Sequence, residues 1–502
     1  MAKLKVETLN AENPSYDGPA IAAHRALYEG GALWRTMVGT WFPKNEVEPP
    51  KQYAERKQLS GYTNHSGGLL DRIVAALFSE SITVDGVEGE GVEAILKNTD
   101  GKGTPWIRWW RSRLADALIG QRAWIWVNLP ARDPDKPIEN RKQEEESGAL
   151  DAFLVGLQPE QVIDWIDDAK GSLTGLMIKG VSSTREGPED PRLPVYRWTW
   201  IDAKEIRRWE WKPPENDPSR EPSDQDEVDE LDPIVHNFGR IPIVRLELPA
   251  GLYAMNKLHD PAVKLLRARN DLSWALHRAA NALLVLFSKW GDEEVQLGHG
   301  YFLKMGPDDR AEYVEPGGSN FELMAKDVRD LRDDLFRVVD QLAAAADSSG
   351  NKQAQSGESK RQDWRALDLI LTAYADMTRA AMREVLAIVV KVRGEGDPND
   401  VVVNGLDSWN LEDLTEFLAN ALAGEVLVPS VTYKKAIAIR TAERILSDEV
   451  DEDTLKKIRE EIEAHEFEPP DMLRDLPGMP RAEDDDDEDE LDDDDDDDDT
   501  EG

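Results

Sequence analysis

Two periodicities divide the chain. In its first half apolar residues return at every second position over short runs; in its second half they return at every third or fourth position over long ones. The first half still opens on helix. The stretch Thr63 to Ser79 places Leu69, Leu70, Ile73, Val74, Ala76, Leu77 and Phe78 on one wide apolar face. GTPWIRWWRSRLADALIG predicts a helix from Pro105 that stops at Gly120, and Ala123 to Asn128 then predicts a strand. The tryptophans of RAWIWVN and of YRWTWIDAKEIRRWEWKPP alternate with polar residues. That spacing predicts paired strands sharing one buried aromatic face, rather than platforms for stacked bases. HNFGRIPIVRLELPAG adds a buried strand ending in a Pro/Gly turn.

From Leu258 to Trp290 the pattern predicts one long helix, with Leu265, Leu266, Leu272, Leu276, Ala279, Ala280 and Leu283 as its stripe. Short strand signals follow in GYFLKMG and AEYVEPGG, between Gly291 and Ser319. Helix returns with Val328, Leu331, Leu335, Val338 and Leu342 on one side and Asp327, Asp330, Asp333 and Asp334 on the other. The run Ala343 to Trp364 is small and polar through its middle, and a helix to Val392 comes after it. That helix is apolar around much of its circumference, which predicts a central, buried place. VVVNG reads as a strand. Short amphipathic helices then close the folded part, with a break at Gly424 and Ser430 as a cap.

Composition alters this picture in one respect. The 502 residues are 40% hydrophobic and 32% charged, with 16 Trp, which suits a folded chain of several domains. The formal charge is −41, and 17 acids lie between Glu483 and Glu501 without a base among them. The rest of the chain stays net acidic, so a broad basic face for tight DNA binding is excluded. The stretches ARDPDKPIENRKQEEESG, STREGPEDPRLP and PPENDPSREPSDQDEVDELDP read as solvated loops, and the chain beyond about Pro469 as a disordered acidic tail. There is no cysteine, no uncharged apolar run long enough to span a membrane, and no apolar signal core at the N-terminus.

Reaction machinery is missing from the sequence. GKGT at Gly101 to Thr104 lacks the order of a phosphate loop, GVEGEG lacks dinucleotide spacing, and both read as turns. No HxxxH pair or GxSxG elbow occurs, so no catalytic residue, metal site or cofactor is expected. The Asp-rich tail lacks the fixed oxygen cage of a selective cation site.

The order of elements is α+β: a large mixed part, a long helix, a small β excursion, a returning helix, a polar loop, a long buried helix and a helical end. It resembles that of the portal proteins of tailed bacteriophages. So do YAERKQLSGYTNHSGGLLDRIVAALFS, LQPEQVIDWIDDAKGSLTGLMIKG, HNFGRIPIVRL, the helix from Leu258, and QSGESKRQDWRALDLILTAYADMTRAAMREVL. The resemblance covers residues 45 to 450. It implies a portal fold with a wing at 1–257, stem helices at 258–290 and 320–341, and a clip at 291–319. A tunnel loop falls at 342–361, a second wing part at 362–409, a helical crown at 410–470 and the tail at 471–502.

The same resemblance implies a ring, commonly of twelve subunits, that passes double-stranded DNA at a capsid vertex of the virion. The implied partners are the major capsid protein, the large terminase subunit, a head-tail adaptor and a scaffold protein, with no membrane. Asn351, Lys352, Gln353, Gln355, Ser356, Lys360 and Arg361 are then the DNA-channel residues. Sparse cations among replaceable polar groups grip weakly, as a channel for sliding DNA requires. Asp484, Asp492 and Asp499 belong to a carboxylate brush that repels DNA from the channel mouth, keeps free subunits soluble, or docks a basic scaffold. The competing reading is an acidic DNA mimic or chaperone-like protein that captures basic partners, with a metal-dependent nucleic-acid enzyme third.

Overall fold

The computed structural model describes residues 3–79, 82–87, 89–130, 143, 148–185, 187, 192–214, 217–236, 238–279, 283–287, 310–314, 318–338, 342, 359–406, 422, 428, 430–446 and 452–465; for some of these, among them 278–287, 310–319 and 359–366, it describes the backbone alone. From the N-terminus come β1 (Lys3–Lys5), α1 (Val6–Leu9), α2 (Gly18–Glu29), α3 (Gly31–Thr36), α4 (Val38–Trp41) and α5 (Pro50–Leu59). Next are α6 (His65–Leu77), β2 (Thr83–Asp85), α7 (Glu90–Lys97), α8 (Trp106–Gly120) and β3 (Arg122–Asn128). Strands β4 (Phe153–Leu157), β5 (Val162–Asp167), β6 (Leu173–Thr184), β7 (Leu193–Asp202) and β8 (Glu205–Trp211) follow. Then come β9 (Glu227–Asp229), β10 (Ile234–Val235) and β11 (Ile243–Glu247). The remainder holds α9 (Ala254–Ala279), β12 (Leu283–Phe287), β13 (Arg310–Val314), α10 (Gly318–Phe336), α11 (Ser359–Arg393), β14 (Val402–Asn404), α12 (Val431–Leu446) and α13 (Glu452–Ala464).

The alternating tryptophans build the middle of a five-stranded antiparallel sheet of order β10-β8-β7-β6-β5. Trp198 lies directly opposite Trp209, and both are buried with Met177, Ile163 and Val228. This is the aromatic face that the period-two spacing predicts. The reverse face is covered as well, by Leu176, Ile178, Ile201 and Ile206 packed against Trp124 and Ile243 of the three-stranded sheet β11-β3-β4. One acidic loop departs from expectation: within PPENDPSREPSDQDEVDELDP, Glu227–Asp229 pairs antiparallel with Lys3–Lys5. Val228 drives this, since burying it against the tryptophan face offsets fixing a short polar segment.

The long helix α11 is central, as its apolar circumference predicts. Ile370, Leu371, Tyr374, Met382, Val385 and Val389 are fully or almost fully buried, and the helix packs on α6, α7, β3, β11 and β14. Tyr374 Oη donates to the Leu252 carbonyl at 2.7 Å, which satisfies the one polar atom of a buried ring. After α11 the chain turns back. Glu395 accepts the Gly91 N–H at 3.2 Å at the start of α7 and takes Arg393 Nε at 2.7 Å. A Cβ on Gly91 would lie 2.1 Å from Arg393 Cδ, so glycine is needed for this approach.

Two boundaries differ from the sequence reading. The helix expected from Leu258 to Trp290 ends at Ala279, and Leu283–Phe287 is instead a strand paired with Arg310–Val314. LLVLF is a short continuous apolar run that fits either structure by itself, and the antiparallel partner decides it. The helix expected from Gln362 starts at Ser359. GKGT is a turn as expected: Gly101 and Gly103 have φ of 72° and 91°, and Asp100 accepts from Lys102 N at 2.9 Å and Thr104 Oγ1 at 2.8 Å.

The chain forms two units, Met1–Trp409 and Asn410–Gly502. In the second, α12 packs against α13, and Lys435 Nζ donates to the Glu463 carbonyl at 2.6 Å. Ser430 caps α12 through an Oγ that accepts from Tyr433 N at 3.3 Å, as the sequence predicts.

Candidate functional site

The element that leaves the body of the first unit is the excursion α9, β12, β13, α10. Its two helices carry opposite gradients of burial. In α9, Ala254, Met255, Leu258, Ala262, Leu265 and Leu266 are buried, and no residue from Arg267 to His277 is. In α10 the described side chains before Leu335 are all intermediate or exposed, and the buried ones, Leu335, Val338 and Leu342, come at and beyond its end. The two helices pack along each other, and Leu335 lines one small space together with Ala262, Leu265 and Leu266. They therefore run antiparallel, rooted in the body at the start of α9 and the end of α10, with the ribbon β12–β13 at the far end. Register pairs Leu283 with Val314 and Phe287 with Arg310.

The point of departure is clamped. Asn270 Nδ2 donates to Gly61 O at 2.9 Å and its Oδ1 accepts from Gly61 N at 2.8 Å, a reciprocal pair that ties α9 to the connection before α6. Arg267 Nε donates to Trp41 O at 2.7 Å, and Arg269 bonds Thr63 Oγ1. Beyond this clamp the surface is charged. Asp327, Asp330 and Asp334 are exposed on α10 with Leu323, while Arg332 pairs with Asp333 at 3.2 Å and Arg337 with Asp334 at 2.8 Å. Exposed pairs of this kind add at most about 1 kcal/mol each.

The expected DNA-channel residues Asn351, Lys352, Gln353, Gln355 and Ser356 lie outside the described residues, as do Asp484, Asp492 and Asp499 of the tail. Lys360 and Arg361 fall in the first turn of α11, directly after the polar run.

A buried polar cluster has no counterpart in the sequence reading. Arg25 on α2 reaches Glu160 through Nε at 2.5 Å and Nη2 at 3.0 Å, and Asp116 on α8 at 3.0 Å; Arg113 holds the other Asp116 oxygen at 2.9 Å. Arg25, Arg113 and Asp116 keep side-chain exposures of 11%, 13% and 7%. Its members lie as far apart as positions 25 and 160, so no local spacing reveals it. Next to it His24 Nδ1 and Tyr253 Oη share a hydrogen bond at 2.8 Å, and Tyr253 Oη donates to the Ile119 carbonyl at 2.9 Å. Burial, reinforced by the neighbouring His259, pushes His24 down to about 4.

A cavity of about 100 Å³ lies beside these groups, walled by Trp124, Trp165 and Ile21. Its edge residues serve the fold: Asp17 Oδ1 caps α2 through Ala20 N at 3.0 Å, and Arg122 bonds Glu247 at 2.8 Å. Among the described residues no three His, Asp or Glu gather where they could hold a metal ion. Among them, too, no helix is long and apolar enough to cross a membrane.

No protein-family model matches the chain, and no curated protein is similar to it in sequence. Solved structures similar to it include a chain from the virion of a native gene transfer agent particle, with 11% identity, a TM-score of 0.37, and coverage of 78% of this chain and 92% of that one. Another is a chain from the neck of an empty gene transfer agent particle with C6 symmetry, at 11% identity, a TM-score of 0.35, and coverage of 85% and 98%.

Proposed function

We propose that this chain is a portal-type subunit: copies form a ring at one capsid vertex, and double-stranded DNA enters and leaves through its central channel. The observation that carries the reading is the pair of opposite burial gradients in α9 and α10. A monomer gains nothing from a helical hairpin that projects from the body and exposes its outer half, whereas a ring covers such hairpins side by side. In this reading α9 and α10 are the stem, β12–β13 belongs to the clip, and the polar run 343–358, with Lys360 and Arg361 in the turn of α11 that follows it, faces the channel. The helix that follows it, α11, is anchored in the body from Ile370 onward, which gives the run a fixed point of attachment.

The chemistry suits transit rather than retention. Lys352, Lys360 and Arg361 are sparse cations on a strongly acidic chain, and each phosphate contact in such a channel is weak and replaceable. The terminase motor docks at the ring during packaging, and head-tail connector proteins replace it afterwards. The wing meets the major capsid protein, and the acidic tail borders the DNA or a basic scaffold. Reversing the loop charge with Lys352→Glu tests the channel assignment: particles assembled with it should package or retain less DNA, and unchanged DNA content would remove Lys352 from the channel.

A further inference from the structure

The segment from Gly31 to Ser60 is an arm with one side packed on the body and an uncovered far side. Trp34, Val38, Trp41 and Phe42 are buried at 2%, 6%, 3% and 3% exposure, and Trp34 stacks on Tyr62 with centroids 5.9 Å apart. Helix α5 then buries no residue at all. It is held along one side only: Tyr53 Oη donates to Phe42 O at 2.9 Å, and Arg56 bonds Glu48 at 2.9 Å and Pro43 O at 3.0 Å. A ten-residue helix that buries none of its residues is too short to be stable alone and is expected to bridge to another body. At its two ends Val47 is 94% and Leu59 49% exposed.

Charge indicates what the arm faces. The arm carries Arg35, Lys44, Lys51, Arg56 and Lys57 against Glu46, Glu48 and Glu55, a local excess of bases on a chain with 60 bases and 101 acids. Its complement lies on α10, where Leu323, Asp327, Asp330 and Asp334 follow each other at helical spacing as one exposed stripe. Leu323 is 66% exposed, and Asp327 and Asp330 make no ion pair among the described residues. Both surfaces lie beside α9. Arg267 of α9 meets the arm at Trp41, and Asn270 meets Gly61 just beyond it, while Leu265, Leu266 and Arg269 line the space with Leu335 of α10. One copy therefore presents both a basic arm and an acidic stripe, two different surfaces.

We propose that the arm docks through α5 onto the Leu323, Asp327, Asp330, Asp334 stripe of a second copy of this chain. The contact is head-to-tail, each subunit giving its arm to one neighbour and its stripe to the other, the arrangement from which closed rings form. Val47 and Leu59 supply the apolar contact and the lysines set the register against the aspartates. The inference rests on the ring reading above and adds which surfaces meet.

The test measures the concentration at which subunits assemble, by mass in solution. Lys51→Glu combined with Lys57→Glu should raise that concentration about ten-fold or more. Adding Asp327→Lys and Asp330→Lys to the same chain should bring it back, a rescue that a merely misfolded arm would not give. If the doubly reversed arm assembles as the unaltered chain does, or if the reversed stripe fails to rescue it, the contact is wrong while the ring stands. If the unaltered chain stays monomeric at every concentration, the ring reading and the contact fall together.

Discussion

Arg25, Arg113, Asp116 and Glu160 meet where α2, α8 and the turn before β5 converge, and little water reaches them. Their mutual attraction is offset by the cost of taking charges out of water, so the cluster adds little as a whole but is expensive to break. Asp116→Ala leaves the Arg113 guanidinium without its carboxylate, while Arg25 keeps Glu160, and should cost about 3–5 kcal/mol in chemical denaturation. Lys97→Ala, which removes an exposed pair with Glu93 on α7, should change stability by less than about 0.5 kcal/mol. His24 adds a pH dependence. Its folded value of about 4 lies below the ordinary 6.5, so the native state binds the proton less readily than the unfolded chain. The stability this represents is complete above about pH 6.5 and is lost as pH falls towards 4, roughly 3 kcal/mol in all. Denaturation midpoints at pH 7 and pH 5 should show the loss, and His24→Asn, which keeps a donor near the Nδ1 position, should flatten it. None of these partnerships is legible in the sequence, because each joins positions that only the finished fold brings together.

At the scale of elements much was legible, and for a physical reason. Trp198, Trp200, Trp209 and Trp211 alternate because strands have a period of two, and α11 is apolar over much of its circumference because much of it is packed in the body, leaving Asp368, Thr372, Asp376 and Arg383 as an exposed line. Ser430 could be named as a cap from residue type and position. What failed was the end of α9, where Leu283–Phe287 lacks any periodicity of its own and its strand partner comes from Arg310–Val314, too far along the chain for a local pattern to reveal. Val228 hid in an acidic loop for the same reason, since one apolar residue among charges carries no periodic signal. The burial gradients separate root from projection. Leu335→Ala, at the root of α10, should destabilise the subunit by about 2–5 kcal/mol, and Leu323→Ser, on the projecting part, by less than about 0.5 kcal/mol. Thermal or urea unfolding of the two variants in dilute subunits measures the difference. A stability loss from Leu323→Ser as large as that from Leu335→Ala would mean that the helix does not project.

For the whole molecule, the account depends on projecting helices that are covered only by copies of themselves. An acidic chain of this size gains solubility from its charge, and the same charge disfavours close packing unless opposite surfaces are paired. Basic arm against acidic stripe is such a pairing, and it makes assembly dependent on ionic strength: the assembly concentration should rise as salt screens the contact. The rival reading, an acidic protein that captures basic partners through its tail, expects a monomer or dimer and gives the α9–α10 hairpin no task. Negative-stain images of the purified chain, with its mass measured in the same solution, decide between them. The account predicts a closed ring with a central hole and a mass that is a whole multiple, commonly twelve-fold, of the 56.4 kDa subunit. A compact particle of one or two chains with no hole, at concentrations well above those of ordinary subunit assembly, would contradict it.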